Sequence, residues 1–241
     1  MENSAGVLEV PTIQEKTYEH LRRMIVCGEL SAGSRIKESV LAHKLGASRV
    51  PIRESLIRLR SEGLVVCRPR FGYTVKKYSR KDVVELYELR GAIEGLAVRL
   101  ASERATDVEI AKCEEIHREF EATLDRFLAM SDGTEEKTEL NNQLASLDER
   151  FHRSLLRISD NSRVEGLFAI LHDEKICLSL AAVRNYTNNF GEAHILKETL
   201  QSHNDVLLAI KCRDAESAEK EMRRHIKMAL KTIMAEFEKM R

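Results

Sequence analysis

A chain of 241 residues with 43% hydrophobic residues can fill one large or two modest packed units, and 5% aromatics with no tryptophan suits leucine-rich helices better than a β-sandwich. The formal net charge of zero conceals a division: residues 1–78 carry 14 Lys+Arg against 8 Asp+Glu, a net of +6, while residues 79–241 carry 25 against 31, a net of −6. A polyanionic partner therefore suits only the first part, and with no secretory leader and no apolar run near the ~18 residues of a membrane span, the chain reads as cytoplasmic.

In chain order, Thr12 and Glu15 are spaced as a capping box, and Thr17, Leu21, Met24 and Ile25 form a helical apolar stripe that stops at Gly28. A second helix runs from Glu38 to Leu45 and is expected to bury Val40, Leu41 and Leu45. Gly46 suits the left-handed position that ends a helix, Ser48 caps the next one, and Pro51 falls in its first turn, where a missing N–H costs little. Ile52, Leu56 and Leu59 then repeat at helical spacing, which leaves Arg49 and Arg53 together on another face. Gly63 ends that helix, and LVVCRPRFGYTV alternates as two short strands with Arg68, Arg70 and Gly72 at their tip. Helix, glycine, helix and basic hairpin in this order describe a winged helix-turn-helix, spanning Gly28 to Val75, which places one helix in a DNA major groove.

After Pro69 the chain has no proline, as long helices allow. Capping boxes at Ser79/Asp82 and Thr106/Glu109 and caps at Asn161 and Asp214 predict helices near 80–104, 106–130, 136–159, 162–183, 192–211 and 214–240. Leu86, Leu89, Ile93, Leu96, Ala97 and Leu100 are the expected inward face of the first, and GTEEKTE near 135 and NNFGEA near 190 the exposed loops. The fold class is thus mostly α: a winged helix-turn-helix in residues 1–78, then an all-α antiparallel helical bundle in residues 79–241. The five cysteines (27, 67, 113, 177, 212) are scattered, without a CxxC, and read as reduced, mostly packed residues.

Asp148 and His152 lie four apart on one helix face, with His203 and His225 on two later helices. A carboxylate and three imidazoles can hold Zn²⁺, Ni²⁺ or Mn²⁺, although a D-x-x-x-H pair alone is more often a surface hydrogen bond. Arg90 could pair with Glu94 at i+4 or face a ligand.

SRVPIRESLIRLRSEGLV, preceded by LAHKLGASR, resembles the DNA-reading segment of the GntR family of bacterial transcription regulators, usually SRTPVREAL-x-RL-x-x-EGLV. The resemblance implies double-stranded operator DNA as partner and contacts from Ser39, Ser48, Arg49, Val50, Arg53, Arg70 and Gly72. The wing departs from the pattern, with Phe71 directly before the glycine where many relatives have arginine. ELYELRGAIEGLAVRLA, LDERFHRSLLRISDNSRV and SHNDVLLAIKCRDAESAEKEMRRHI are similar to the FCD-type ligand-binding domain of the FadR subfamily. That similarity implies a divalent metal ion held by Asp148, His152, His203 and His225, a small carboxylate or sugar-acid effector met by Arg90, and a homodimer; repressor is the expected class, with the direction of the effector's action on DNA binding left open. Two other readings stand beside it: a metal-dependent hydrolase or lyase on the bundle, disfavoured by the absence of HExxH, P-loop and nucleophile-elbow motifs, and a regulator whose metal is purely structural.

Overall fold

The computed structural model describes residues 12–26, 28–171 and 193–239, and the chain divides into two compact units between Lys77 and Tyr78. Among the described residues no helix is long and apolar enough to cross a membrane. The fold is mostly α, a winged helix-turn-helix followed by a helical domain.

In the first unit, α1 (Ile13–Val26) is opened by the Thr12/Glu15 capping box, in which the Glu15 carboxylate accepts from the Thr12 N–H at 2.6 Å. Its Tyr18, Leu21, Met24 and Ile25 are buried. The helix-turn-helix proper is α2 (Glu38–Leu45) and α3 (Arg49–Ser61). Gly46 joins them at φ 61°, in the left-handed region where a side chain would be strained. Ser48 stands at the N-cap of α3 in extended conformation, although its hydroxyl makes no capping bond. Ile52, Leu56 and Leu59 are completely buried, as their spacing requires. The eight-residue α2 presents only one face to this core: Leu41 is buried and Leu45 half-buried, but Val40 is 56% exposed, against expectation. The hairpin is β2 (Val65–Arg68) and β3 (Gly72–Val75), paired antiparallel with Arg68 opposite Gly72. A two-residue strand that the sequence did not announce, β1 (Arg35–Ile36), joins the other edge of β3, so the order is β1-β3-β2.

The second unit consists of α4 (Arg80–Arg104), α5 (Asp107–Ala129), α6 (Glu135–Ile158), α7 (helical over residues 162–171), α8 (Ala193–Lys211) and α9 (Ala215–Lys239). Ser79 and Thr106 close full capping boxes, and Asn161 and Asp214 accept N–H bonds from the turns they start. Thr134 caps α6, so Glu135–Glu139 of the expected GTEEKTE loop belong to a helix. Most of NNFGEA, residues 172–183 of the expected fourth bundle helix, Cys27 and Cys177 lie outside the described residues. Of the remaining cysteines only Cys113 is packed; Cys67 and Cys212 are exposed, contrary to expectation.

The inward face of α4 also differs from the sequence reading. Leu89 and Leu96 are 53% and 42% exposed, while Arg90, Gly91, Glu94, Gly95 and Val98 point inward with Leu86 and Ala97. An apolar pattern cannot register a face built from a buried ion pair and two glycines. The glycines admit α9: a Cβ on Gly95 would lie 3.2 Å from the Arg223 side chain. This close approach is what brings α4 against the helix that carries His225.

Candidate nucleic-acid interface and metal centre

Ser39, Ser48, Arg49, Val50, Arg53, Arg70 and Gly72 are all exposed. Arg49 and Val50 occupy the first turn of α3 and Arg53 the next, on the side away from Ile52, Leu56 and Leu59. An arginine at such a position can fork to guanine, and an exposed valine can touch a thymine methyl. Arg53 also donates through Nη2 to Glu38 Oε2 of α2 at 3.1 Å.

At the wing tip the Phe71 N–H returns to the Arg68 carbonyl at 3.1 Å, which places Pro69 and Arg70 at the corner, Arg70 with φ 66°. A left-handed arginine costs roughly 1–2 kcal/mol, part of which a glycine would forfeit again through unfolded-chain entropy. Arg70→Gly is therefore expected to leave stability unchanged or raise it by up to ~1 kcal/mol. The same substitution should weaken DNA binding and flatten its salt dependence by about one phosphate contact. Denaturant unfolding read beside salt-dependent binding checks both, and loss of stability with unchanged binding would refute a DNA role for the tip.

In the second unit, Asp148 and His152 project one turn apart from α6, His203 from α8 and His225 from α9. Their ligand atoms all lie within 4.8 Å of one another. The three imidazoles are buried, with ring centroids 4.8–5.6 Å apart. Phe151 stacks on His203 at 4.0 Å, and Phe120 meets its edge at 5.8 Å, so the rings are held from several sides.

Their outer neighbours set the tautomers. His152 Nδ1 lies 2.5 Å from Glu94 Oε2, and the other oxygen of Glu94 accepts from Arg90 Nε at 2.7 Å. The Ser202 hydroxyl donates to the Thr199 carbonyl, leaving its oxygen to accept from His225 Nδ1 at 2.7 Å. With both Nδ1 atoms carrying protons, the Nε2 lone pairs of His152 and His225 face each other at 3.1 Å. Two lone pairs at that distance repel unless a proton, which the raised His152 can carry, or a metal ion lies between them. His203 Nε2 is buried without a hydrogen-bond partner among the described residues, 3.5 Å from Asp148 Oδ1, which is 3.7 Å from His152 Nε2. Ligands bonded to one ion at ~2.0–2.2 Å sit roughly 3–4 Å apart, so these donors fit a divalent cation.

Burial pushes His203 down to about 4 and His225 well below its ordinary value; burial opposes charge on His152 too, but Glu94 and Asp148 outweigh it and raise that group. Glu94 and Ser202 had no role in the sequence reading. Glu94 appeared only as the i+4 partner of Arg90, and nothing in the sequence distinguishes Ser202. Arg90 is buried and does pair with Glu94, its guanidinium 4.9 Å from the Tyr87 ring centre.

The chain matches the family described as bacterial regulatory proteins, gntR family, over residues 13–75, and the FCD domain over residues 85–228. It is 30% identical over 208 residues to an uncharacterized HTH-type transcriptional regulator, YdhC, of Bacillus subtilis, covering 86% of this chain and 85% of that one. It is 26% identical over 226 residues to a probable D-xylose utilization operon transcriptional repressor of Paenarthrobacter nicotinovorans, covering 94% and 91%. Among solved structures, E. coli McbR/YncC shares the fold with a TM-score of 0.70 at 19% identity, over 95% of this chain and 100% of that one.

Proposed function

We propose a metal-dependent, ligand-responsive repressor for this chain, which belongs to the gntR family of bacterial regulatory proteins and carries an FCD domain. Membership makes it a transcription regulator rather than an enzyme, which sets aside the hydrolase or lyase reading. In our reading residues 1–78 bind double-stranded operator DNA and residues 79–241 form the sensor. The basic charge of the first part and its exposed Arg49 and Arg53 support this, and action on DNA places the protein in the cytoplasm. Repression is carried over from the xylose-operon relative.

A two-fold operator needs two copies, and exposed apolar side chains supply a surface for a homodimer. Leu89 and Leu96 of α4, and Leu167 and Ile170 of α7, are all exposed, and the two helices share one core cluster, Ala97 from α4 with Val164 and Phe168 from α7.

The observation that carries the sensor reading is the facing pair of Nε2 atoms beside the orphaned His203 Nε2 and the Asp148 carboxylate. Asp148, His152, His203 and His225 would hold the ion, of the Zn, Ni or Mn class, which supplies a positive centre for one end of a small carboxylate or sugar acid. Arg90 would meet the acid at its other end. A guanidinium has five N–H donors and Glu94 takes one of them, through Nε, so pairing with Glu94 and receiving an acid are compatible. An acid drawn to Arg90 loosens its hold on Glu94, and Glu94 orients His152. Acid and metal are thereby linked, and linkage is reciprocal: whichever way one changes the other's affinity, the effect returns by the same factor.

Thermal unfolding of chelator-stripped protein against a panel of small carboxylates and sugar acids, with and without divalent metal, tests this. A ligand at 100 times its dissociation constant adds ~2.7 kcal/mol. An acid that stabilises only with metal present, and no longer does so in Arg90→Lys, is the expected result. Metal stabilisation with no acid response would favour a purely structural ion.

A further inference from the structure

We propose that Glu38 is a positioning residue for base reading: it holds Arg53 in the orientation from which that arginine reads DNA. The proposal rests on the assignment of Arg53 as a base-contacting residue. Glu38 is the first residue of α2 and Arg53 lies in the second turn of α3, fifteen residues later, yet Nη2 of the guanidinium donates to Glu38 Oε2 at 3.1 Å. Arg49, the other arginine on that face, makes no ion pair among the described residues. Of the two arginines suited to bases, one is tethered to the neighbouring helix and the other has no such tether among the described residues.

Such a pair is poorly explained by stability. The Arg53 side chain is 63% exposed, and exposed ion pairs contribute little to folding. Its consequence for binding is larger. A long, rotamer-rich arginine must be ordered to reach one base edge, and a fixed carboxylate orders it before DNA arrives. Nη2 carries two hydrogens, so giving one to Glu38 leaves the other, beside an N–H of the neighbouring nitrogen, to fork to a guanine edge. The carboxylate also offsets the charge of Arg53, which reduces its attraction to any phosphate whatever the sequence. Glu38 thus favours the right sequence and disfavours the rest, raising the ratio between them rather than the affinity alone.

The test uses the full-length chain and a randomised duplex library, from which the wild type selects its own preferred site. Base preference at each position is then measured for the wild type, Glu38→Ala, Glu38→Asp, Arg53→Ala and the Glu38→Ala/Arg53→Ala pair. Glu38→Asp keeps the negative charge at the start of α2 but is one methylene too short to hold Arg53. It therefore separates positioning from charge, and it protects the test against a fold that fails without an acid at that site. Arg53→Ala is expected to erase preference at one base position of each half-site. Glu38→Ala and Glu38→Asp should both lower discrimination at that same position by on the order of 10-fold. Binding to an unrelated duplex should hold or increase, and the double variant should discriminate no worse than Arg53→Ala. Full discrimination in Glu38→Asp, or a loss that adds in full to that of Arg53→Ala, overturns the proposal while leaving Arg53 as a reader. If Arg53→Ala changes no base preference, the assignment of Arg53 itself fails, and the proposal with it.

Discussion

Stripping divalent metal with a chelator is expected to lower the melting temperature by roughly 5–10 °C, a loss that added metal reverses in the wild type but not in His203→Ala. The size follows from linkage: metal at 100 times its dissociation constant contributes ~2.7 kcal/mol, and a unit of 150–250 residues moves about 2–4 °C per kcal/mol. His203 is an informative position, because its Nε2 is buried without a hydrogen-bond partner among the described residues, whereas His225 Nδ1 is bonded to Ser202 and His152 Nδ1 lies 2.5 Å from the Glu94 carboxylate. Acid should remove the metal's benefit, since a protonated imidazole cannot ligate. The metal-free protein should also weaken in acid. His203 and His225 both titrate below the ordinary value of 6.5 in the fold, so the unfolded chain binds more protons, and stability falls as the pH drops below about 6.5, for His203 down to its folded value of about 4. His152, raised, works the other way, one group against two. Calorimetric titration beside the melts decides the matter: equal metal affinity in wild type and His203→Ala would mean that the cluster does not hold the ion.

Local signals carried most of the fold. Gly46 and Pro51 mark the helix-turn-helix junction because each acts within a few residues of itself, Ser48 stands at the N-cap without making the bond, and the Ser79/Asp82 and Thr106/Glu109 boxes start helices by equally local contacts. Strand β1 escaped, since two residues carry no periodicity and Arg35 finds its partner only at Thr74. Val40 and Leu89 misled for the opposite reason: their apolar character is real, but which face of a helix is covered is decided by the helices packed against it. At the candidate centre, only Asp148 and His152 share a helix turn and are visible as a pair. His203 and His225 join them through tertiary packing that spacing does not encode; the sequence offered them only as two of eight histidines, and the resemblance singled them out. Glu94 was legible as the partner of Arg90, but its second oxygen serves His152 on α6, a contact no helical rule anticipates.

That second contact leads to the other large effect. Glu94→Ala is expected to destabilise the protein by ~3–5 kcal/mol, because it strands the buried Arg90 guanidinium without a counter-charge. Against a total stability of about 5–15 kcal/mol the variant would be marginal, so its metal affinity could fall merely because it unfolds. The pair Arg90→Met/Glu94→Leu separates these causes. Replacing both charges with apolar side chains of similar volume removes the stranded ion, and such replacements are commonly neutral or stabilising. Folding should therefore recover in the double variant. The metal should not: His152 Nδ1 loses the carboxylate that fixes its tautomer and ring, and an outer-sphere loss of this kind lowers metal affinity by ~10–100-fold. Melting and metal titration on the same two proteins give the answer. Recovery of both stability and affinity would reduce Glu94 to a counter-ion for Arg90, whereas recovery of stability alone shows one carboxylate serving two tasks, balancing a buried charge through one oxygen and aiming His152 through the other.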